Sequence, residues 1–158
     1  MIHSLRVTIL ADNNVCVSGL TAEHGLSMLI EADRYRVLFD TGQGEVFLRN
    51  AETLGCNLGP LDAIVISHGH YDHTGGLAHA LRQGGQPRVF LHPAALSRRF
   101  SKSGTAPARS IGIPPESLEA IEGIPDRLTW TRSATEVVSG VWCTGEVPRS
   151  APTGIDNS

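Results

Sequence analysis

The chain lacks a basic surplus, a disulfide framework and any apolar run long enough to cross a membrane. With 13 Lys and Arg against 16 Asp and Glu, a net charge of −3 leaves no electrostatic footprint for nucleic acid. A small-molecule partner is the expectation. Cys16, Cys56 and Cys143 are odd in number and widely spaced, with no C-x-x-C pair, which suits reduced thiols acting as small buried hydrophobes rather than a disulfide framework. The start, Met1-Ile2-His3-Ser4-Leu5-Arg6, has neither the charged opening nor the apolar core of a signal peptide. A cytoplasmic protein without membrane contact is therefore expected. There is no internal repeat or low-complexity tract, and 158 residues are enough for one domain with its own core.

What is present is concentrated in six residues, His68-Gly69-His70-Tyr71-Asp72-His73, which hold three imidazoles and a carboxylate. These donors suit zinc, manganese or iron, and three histidines so close together are expensive to bury without a metal or another partner. His68, His70, Asp72 and His73 are the candidate metal ligands, for one or two divalent ions, zinc first. They can serve two ions but cannot complete the coordination sphere of both, and His79 and His92 are the only later histidines.

The surrounding pattern predicts strands at Leu5 to Leu10, His24 to Ala32, Arg36 to Phe39, Ala63 to Ile66 and Arg88 to Leu91, with Asp33-Arg34 turning a hairpin. Helices are predicted at Glu45 to Leu54, closed by Gly55, at Leu77 to Leu81, and at Pro114 to Ile121. Residues 97–115 read as a long loop, and Leu128 to Trp130, Thr135 to Val138 and Val141 to Thr144 as short strands. Strands and helices alternating in this way indicate α/β or α+β layering, with the histidines where a strand leaves the sheet.

Phe39-Asp40-Thr41-Gly42, followed by the run from Val65 through the histidines to Thr74-Gly75-Gly76-Leu77, resembles the first two motifs of the metallo-β-lactamase superfamily. Ala22-Glu23-His24-Gly25-Leu26-Ser27 and Thr144-Gly145-Glu146-Val147-Pro148-Arg149 resemble its dihydropterin-ribofuranosyl-aminobenzene phosphate synthase-like branch. The resemblance implies an αββα sandwich, with His68 and His70 on a first metal and Asp72 and His73 on a second. It covers about residues 5–149 and stops before the motifs that carry a third histidine, a bridging aspartate and a final histidine. The chain thus looks like the N-terminal half of that domain, residues 1–149, followed by a disordered tail at 150–158.

Outside the cluster, Asp40 either caps a turn or orients a ligand histidine from behind. His24 is either a satisfied, half-buried histidine or a pocket group, while Glu23, His3 and His79 read as surface positions and Ser67 and Tyr71 as structural. Arg98, Arg99, Lys102 and Arg109 either line a solvated loop or hold an anionic substrate group. Glu146 and Arg149 gain a pocket role only from the resemblance, and His92 matches no ligand motif. Two functions follow. The first is a metal-dependent hydrolase of phosphoester, ester or pterin-phosphate-related small molecules, with Asp72 as ligand and acid–base partner and its site completed by a missing C-terminal half or a homo-oligomer. The second is a truncated, catalytically inactive module that binds metal or a small ligand.

Overall fold

A computed structural model describes residues 1–147. In chain order the elements are β1 (Leu5–Ala11), β2 (Ser27–Ala32), β3 (Tyr35–Phe39), α1 (Val46–Thr53), β4 (Ala63–Val65), α2 (Tyr71–Thr74), α3 (Leu77–Gln83), β5 (Arg88–Leu91), β6 (Phe100–Ser101), β7 (Arg109–Ser110), α4 (Pro115–Glu122), β8 (Leu128–Trp130), β9 (Thr135–Val138) and β10 (Val141–Cys143). The main sheet runs β1-β2-β3-β4-β5-β8, antiparallel as far as β3 and parallel from there on. The parallel strands are joined by crossovers that carry the helices, so the chain repeatedly emerges at the same edge of the sheet. That edge carries the candidate site.

Strand alternation gives the sheet two apolar faces. Register aligns Leu29, Leu38, Ile64, Val89 and Leu128 in one row across five strands, and helical residues Phe47, Ala51, Leu77, Ala80 and Ile121 pack on that face. Phe47 is fully buried there, and its truncation to alanine would cost about 3–5 kcal/mol. The opposite row, Val7, Ile30, Val37 and Ala63, and its neighbour, Ile9, Met28, Phe39, Val65 and Phe90, are covered only in part. The β9–β10 hairpin lays Val137 over Val37, Ala63, Val65 and Phe90, while Val7 and Ile9 remain 50% and 53% exposed at the edge.

Most predicted elements are present, with shifts that have physical causes. The second strand begins at Ser27 rather than His24, because residues 23–26 are held off the sheet by contacts with the site described below. The α1 helix closes as expected at Gly55, which at φ +66° donates to Glu52 while Cys56 donates to Ala51, a Schellman arrangement. The loop at 97–115 contains a two-residue ladder, β6 with β7, and is pinned to the histidine motif by the Tyr71 N–H to Ile111 carbonyl bond. Cys16 is exposed and Cys56 and Cys143 half-buried, so none is the fully buried hydrophobe expected; all are free thiols. The tail at 150–158, and with it the 1–149 boundary, lies outside the described residues, as does Arg149. No helix among the described residues is long and apolar enough to cross a membrane.

Candidate metal centre

The site is assembled at the carboxyl ends of β3, β4 and β5, where an open sheet leaves a crevice. Asp40 follows β3 and is fully buried, in the left-handed region at φ +56°. A non-glycine residue rarely adopts that conformation, and holding it costs of the order of 1–3 kcal/mol. Three donors converge on its carboxylate. Oδ1 accepts the Ser67 N–H at 2.8 Å, and Oδ2 accepts the Ser67 hydroxyl at 2.6 Å and lies 2.7 Å from His73 Nδ1.

Those bonds determine which histidine nitrogens carry protons. His73 Nδ1 must donate to the carboxylate, which in the neutral ring leaves the Nε2 lone pair free. The hydroxyl proton of Ser67 is committed to Asp40, so His68 Nδ1, 2.9 Å from Ser67 Oγ, must be the donor in that contact. His68 Nε2 is thereby left as an acceptor, 3.0 Å from His70 Nδ1. Two nitrogens on one tetrahedral zinc stand about 3.3 Å apart, so this pair has the spacing of two ligands to a common ion. His73 Nε2 lies 3.6 Å from Asp72 Oδ2 in a second pair. The His68 and His73 ring centroids are 4.1 Å apart, which makes the two pairs neighbours.

The electrostatics are opposed within the cluster. Burial, helped by the neighbouring imidazoles of His73 and His70, pushes the His68 pKa down, while the hydrogen bond to Asp40 pulls that of His73 up. Among the described residues, no group of three or more His, Cys, Asp or Glu side chains is arranged to hold an ion. The donor types suit a divalent metal, but they stand only as two pairs, the shortage of ligands that their spacing in the sequence implies.

The turn after β3 is laced to the motif. Thr41 donates to the His73 carbonyl through both its backbone and its hydroxyl, at 2.8 and 2.9 Å, and Gly75 donates to the Gly42 carbonyl. A side chain at Gly76 would collide with the Thr41 and Gly44 carbonyls. The glycines of the motif therefore let it pack directly against the turn that carries Asp40.

Several expectations change here. Ser67, read as structural, is the link by which Asp40 reaches His68. Glu23 is half-buried rather than on the surface: its Oε1 accepts the Gln43 N–H, and burial raises its pKa against that bond. His24 is exposed rather than half-buried, yet its Nε2 lies 3.3 Å from Asp72 Oδ2. His79 is partly buried, 3.5 Å from Glu45. Arg99 spends its guanidinium on the carbonyls of Ala94, Ala95 and Ser97, while Arg98, Lys102 and Arg109 are exposed. His92 accepts the Ala94 N–H at Nδ1, and its buried Nε2 has no hydrogen-bond partner, the nearest carboxylate being Glu146 at 3.9 Å. Asn13 and Gln43, which both brace His24, carry no motif signal; in the sequence they are ordinary turn residues.

Comparison with known proteins agrees with this geometry. The model of the metallo-β-lactamase superfamily matches residues 20–155. A 7,8-dihydropterin-6-methyl-4-(β-D-ribofuranosyl)-aminobenzene-5'-phosphate synthase of Methanocaldococcus jannaschii is 33% identical over 134 residues, covering 80% of this chain and 45% of the relative. An uncharacterized protein of the same organism is 36% identical over 114 residues, 72% of this chain and 42% of its own. A crystal structure described as a metal-dependent hydrolase of the β-lactamase superfamily superposes with a TM-score of 0.62 at 34% identity, over 88% of this chain and 47% of that one. The chain thus spans about half the length of these relatives. Family match, relatives and fold agree: this chain belongs to the metallo-β-lactamase superfamily.

Proposed function

We propose that this chain carries the first half of a metal-dependent hydrolase site acting on a small phosphoester, ester or pterin-phosphate-related molecule, and that the remaining ligands come from outside it. The observation that carries the reading is the Asp40 network, which directs the lone pairs of His68 and His73 toward His70 and Asp72. A structural cluster has no need of such tautomer control. In this reading His68 and His70 hold one ion and Asp72 and His73 a second, with Asp40 positioning ligands from behind. A bound divalent ion, zinc first, would supply Lewis acidity and acidify water near neutral pH. In this reading Asp72, close to both His73 and His24, would be the carboxylate that accepts a proton there. The names of the synthase and of the metal-dependent hydrolase among the similar proteins support the substrate class and reaction type.

Titration calorimetry with zinc or manganese tests this. His70→Ala and Asp72→Ala should each abolish binding at their pair, because each removes one of only two donors. Unchanged stoichiometry and affinity in both variants would sink the reading. A second reading, a metal-binding module without turnover, is favoured by the arrangement of donors in pairs. A chromogenic phosphodiester assay with the matching C-terminal half added in trans separates the two, since metal-dependent turnover that disappears in His68→Ala excludes the inactive module.

A further inference from the structure

The loop between β1 and β2 brings a further imidazole to the site. His24 Nε2 stands 3.3 Å from Asp72 Oδ2, the oxygen that also faces His73. Two roles are open to a nitrogen so placed: it could be a third ligand beside Asp72 and His73, or a proton-bearing donor to the carboxylate. Asn13 decides between them. Its Oδ1 accepts the Gly25 N–H at 3.0 Å, which fixes the orientation of the amide, so the group 3.2 Å from His24 Nδ1 is the amide nitrogen. An amide nitrogen only donates. His24 Nδ1 must therefore accept, and the proton of the neutral ring sits on Nε2, the nitrogen 3.3 Å from Asp72 Oδ2.

The surrounding backbone is built to keep this arrangement. Gln43 Nε2 donates to the His24 carbonyl at 2.6 Å, and the Leu26 N–H reaches the Asp72 carbonyl at 3.3 Å. Gly25, at φ +137°, lies so close to Asp72 that a side chain there would collide with its carbonyl. The exposed His24 ring is thus held at both its side chain and its main chain.

We propose that His24 is a positioning residue of the site: Asn13 locks it as the Nε2–H tautomer, so that it presents a proton to Asp72 Oδ2 and is not a metal ligand. The inference rests on the reading of Asp72 as a ligand only for its effect on metal affinity. In that role His24 would leave one lone pair of Oδ2 for the ion and hold the carboxylate toward His73. Partners of this kind behind metal ligands typically change affinity about tenfold to hundredfold.

The test has two arms on the full chain. In the first, long-range proton–nitrogen NMR of the metal-free protein at mildly alkaline pH should show the Nε2–H tautomer at His24. Asn13→Asp, which replaces the donor by an acceptor, should move the proton to Nδ1, and Asp72→Asn should shift the His24 resonances. An Nδ1–H tautomer in the unaltered chain, or no response to either substitution, overturns the proposal. In the second arm, zinc titration of His24→Ala should keep the stoichiometry and weaken binding at the Asp72 side about tenfold or more, with recovery in His24→Gln, whose amide still donates. Loss of one equivalent of metal in His24→Ala would make His24 a ligand and overturn the proposal, as would an affinity unchanged from the wild type. If the unaltered chain binds no metal, the hydrolase reading falls, and the NMR arm alone decides whether Asn13 locks His24 against Asp72.

Discussion

Replacing Asp40 by asparagine isolates the electrostatic role of this residue, because asparagine has nearly the same shape and also tolerates the left-handed backbone at φ +56°. The carboxylate accepts three hydrogen bonds, from the Ser67 N–H, the Ser67 hydroxyl and His73 Nδ1. With its oxygen kept on the Ser67 N–H, the new amide nitrogen would face Ser67 Oγ and His73 Nδ1 as a donor. His73 would have to move its proton to Nε2. Ser67, now an acceptor from the amide, would turn its hydroxyl toward His68 Nδ1 and push the proton of that ring to Nε2 as well. Both lone pairs, the one beside His70 and the one beside Asp72, would be lost. A tenfold to hundredfold fall in zinc affinity is expected, equivalent to about 1.4–2.7 kcal/mol. Loss of charge from two buried hydrogen bonds should cost roughly 1 kcal/mol each, which for a chain of this size lowers Tm by about 4–8 °C. Calorimetric titration and a thermal melt measure the two effects. A variant that melts early but binds zinc with unchanged affinity would refute the reasoning, leaving Asp40 a purely structural residue. The substitution also has a pH signature in the metal-free protein. The Asp40 bond raises the His73 pKa, so the stability it contributes is full below the ordinary histidine value and is lost as pH rises through the raised one. Asp40→Asn should remove that dependence.

Ser67→Ala should weaken metal binding at the His68–His70 pair while sparing the Asp72–His73 pair, because it cuts only the link from Asp40 to His68; equal losses at both pairs, read by calorimetry, would refute that division. The exposed edge of the second sheet face, with Val7 and Ile9, should drive self-association, seen as a dimer or larger species in sedimentation velocity at micromolar concentration and reduced by Ile9→Glu; a stable monomer would show that the chain tolerates this face uncovered. Without further ligands the chain should hydrolyse phosphodiester, thioester or lactam substrates no faster than free metal, and clear metal-dependent turnover that disappears in His68→Ala would show that the pairs suffice. Burial raises the Glu23 pKa, so its ionisation costs stability as pH rises past the ordinary glutamate range. Glu23→Gln, which still accepts the Gln43 N–H, should gain stability relative to the wild type across that window, and a difference in Tm that does not vary with pH would contradict this.

Much of the molecule was legible in the one-dimensional sequence because its signals are local. Apolar runs and alternation marked the strands, Gly55 marked the end of α1, and the histidine motif named its own donors, since donor chemistry belongs to residue type. What the sequence could not show depends on residues far apart in the chain. Asp40 and Ser67 are 27 positions apart, and that Ser67 relays the Asp40 charge to His68 is a matter of hydroxyl direction, set only once β3 and β4 lie side by side. His24 was ambiguous for the same reason: its sequence neighbours fit a strand, whereas contacts with Asn13, Gln43 and Asp72 pull it off the sheet and onto the site. Glu23 looked like a surface charge because burial is not a property of residue type. The sequence by itself determined which candidate donor atoms the site contains; the tertiary structure decided which of them carry protons and which way they point, because tautomer and orientation are fixed by hydrogen-bond partners that only folding brings together.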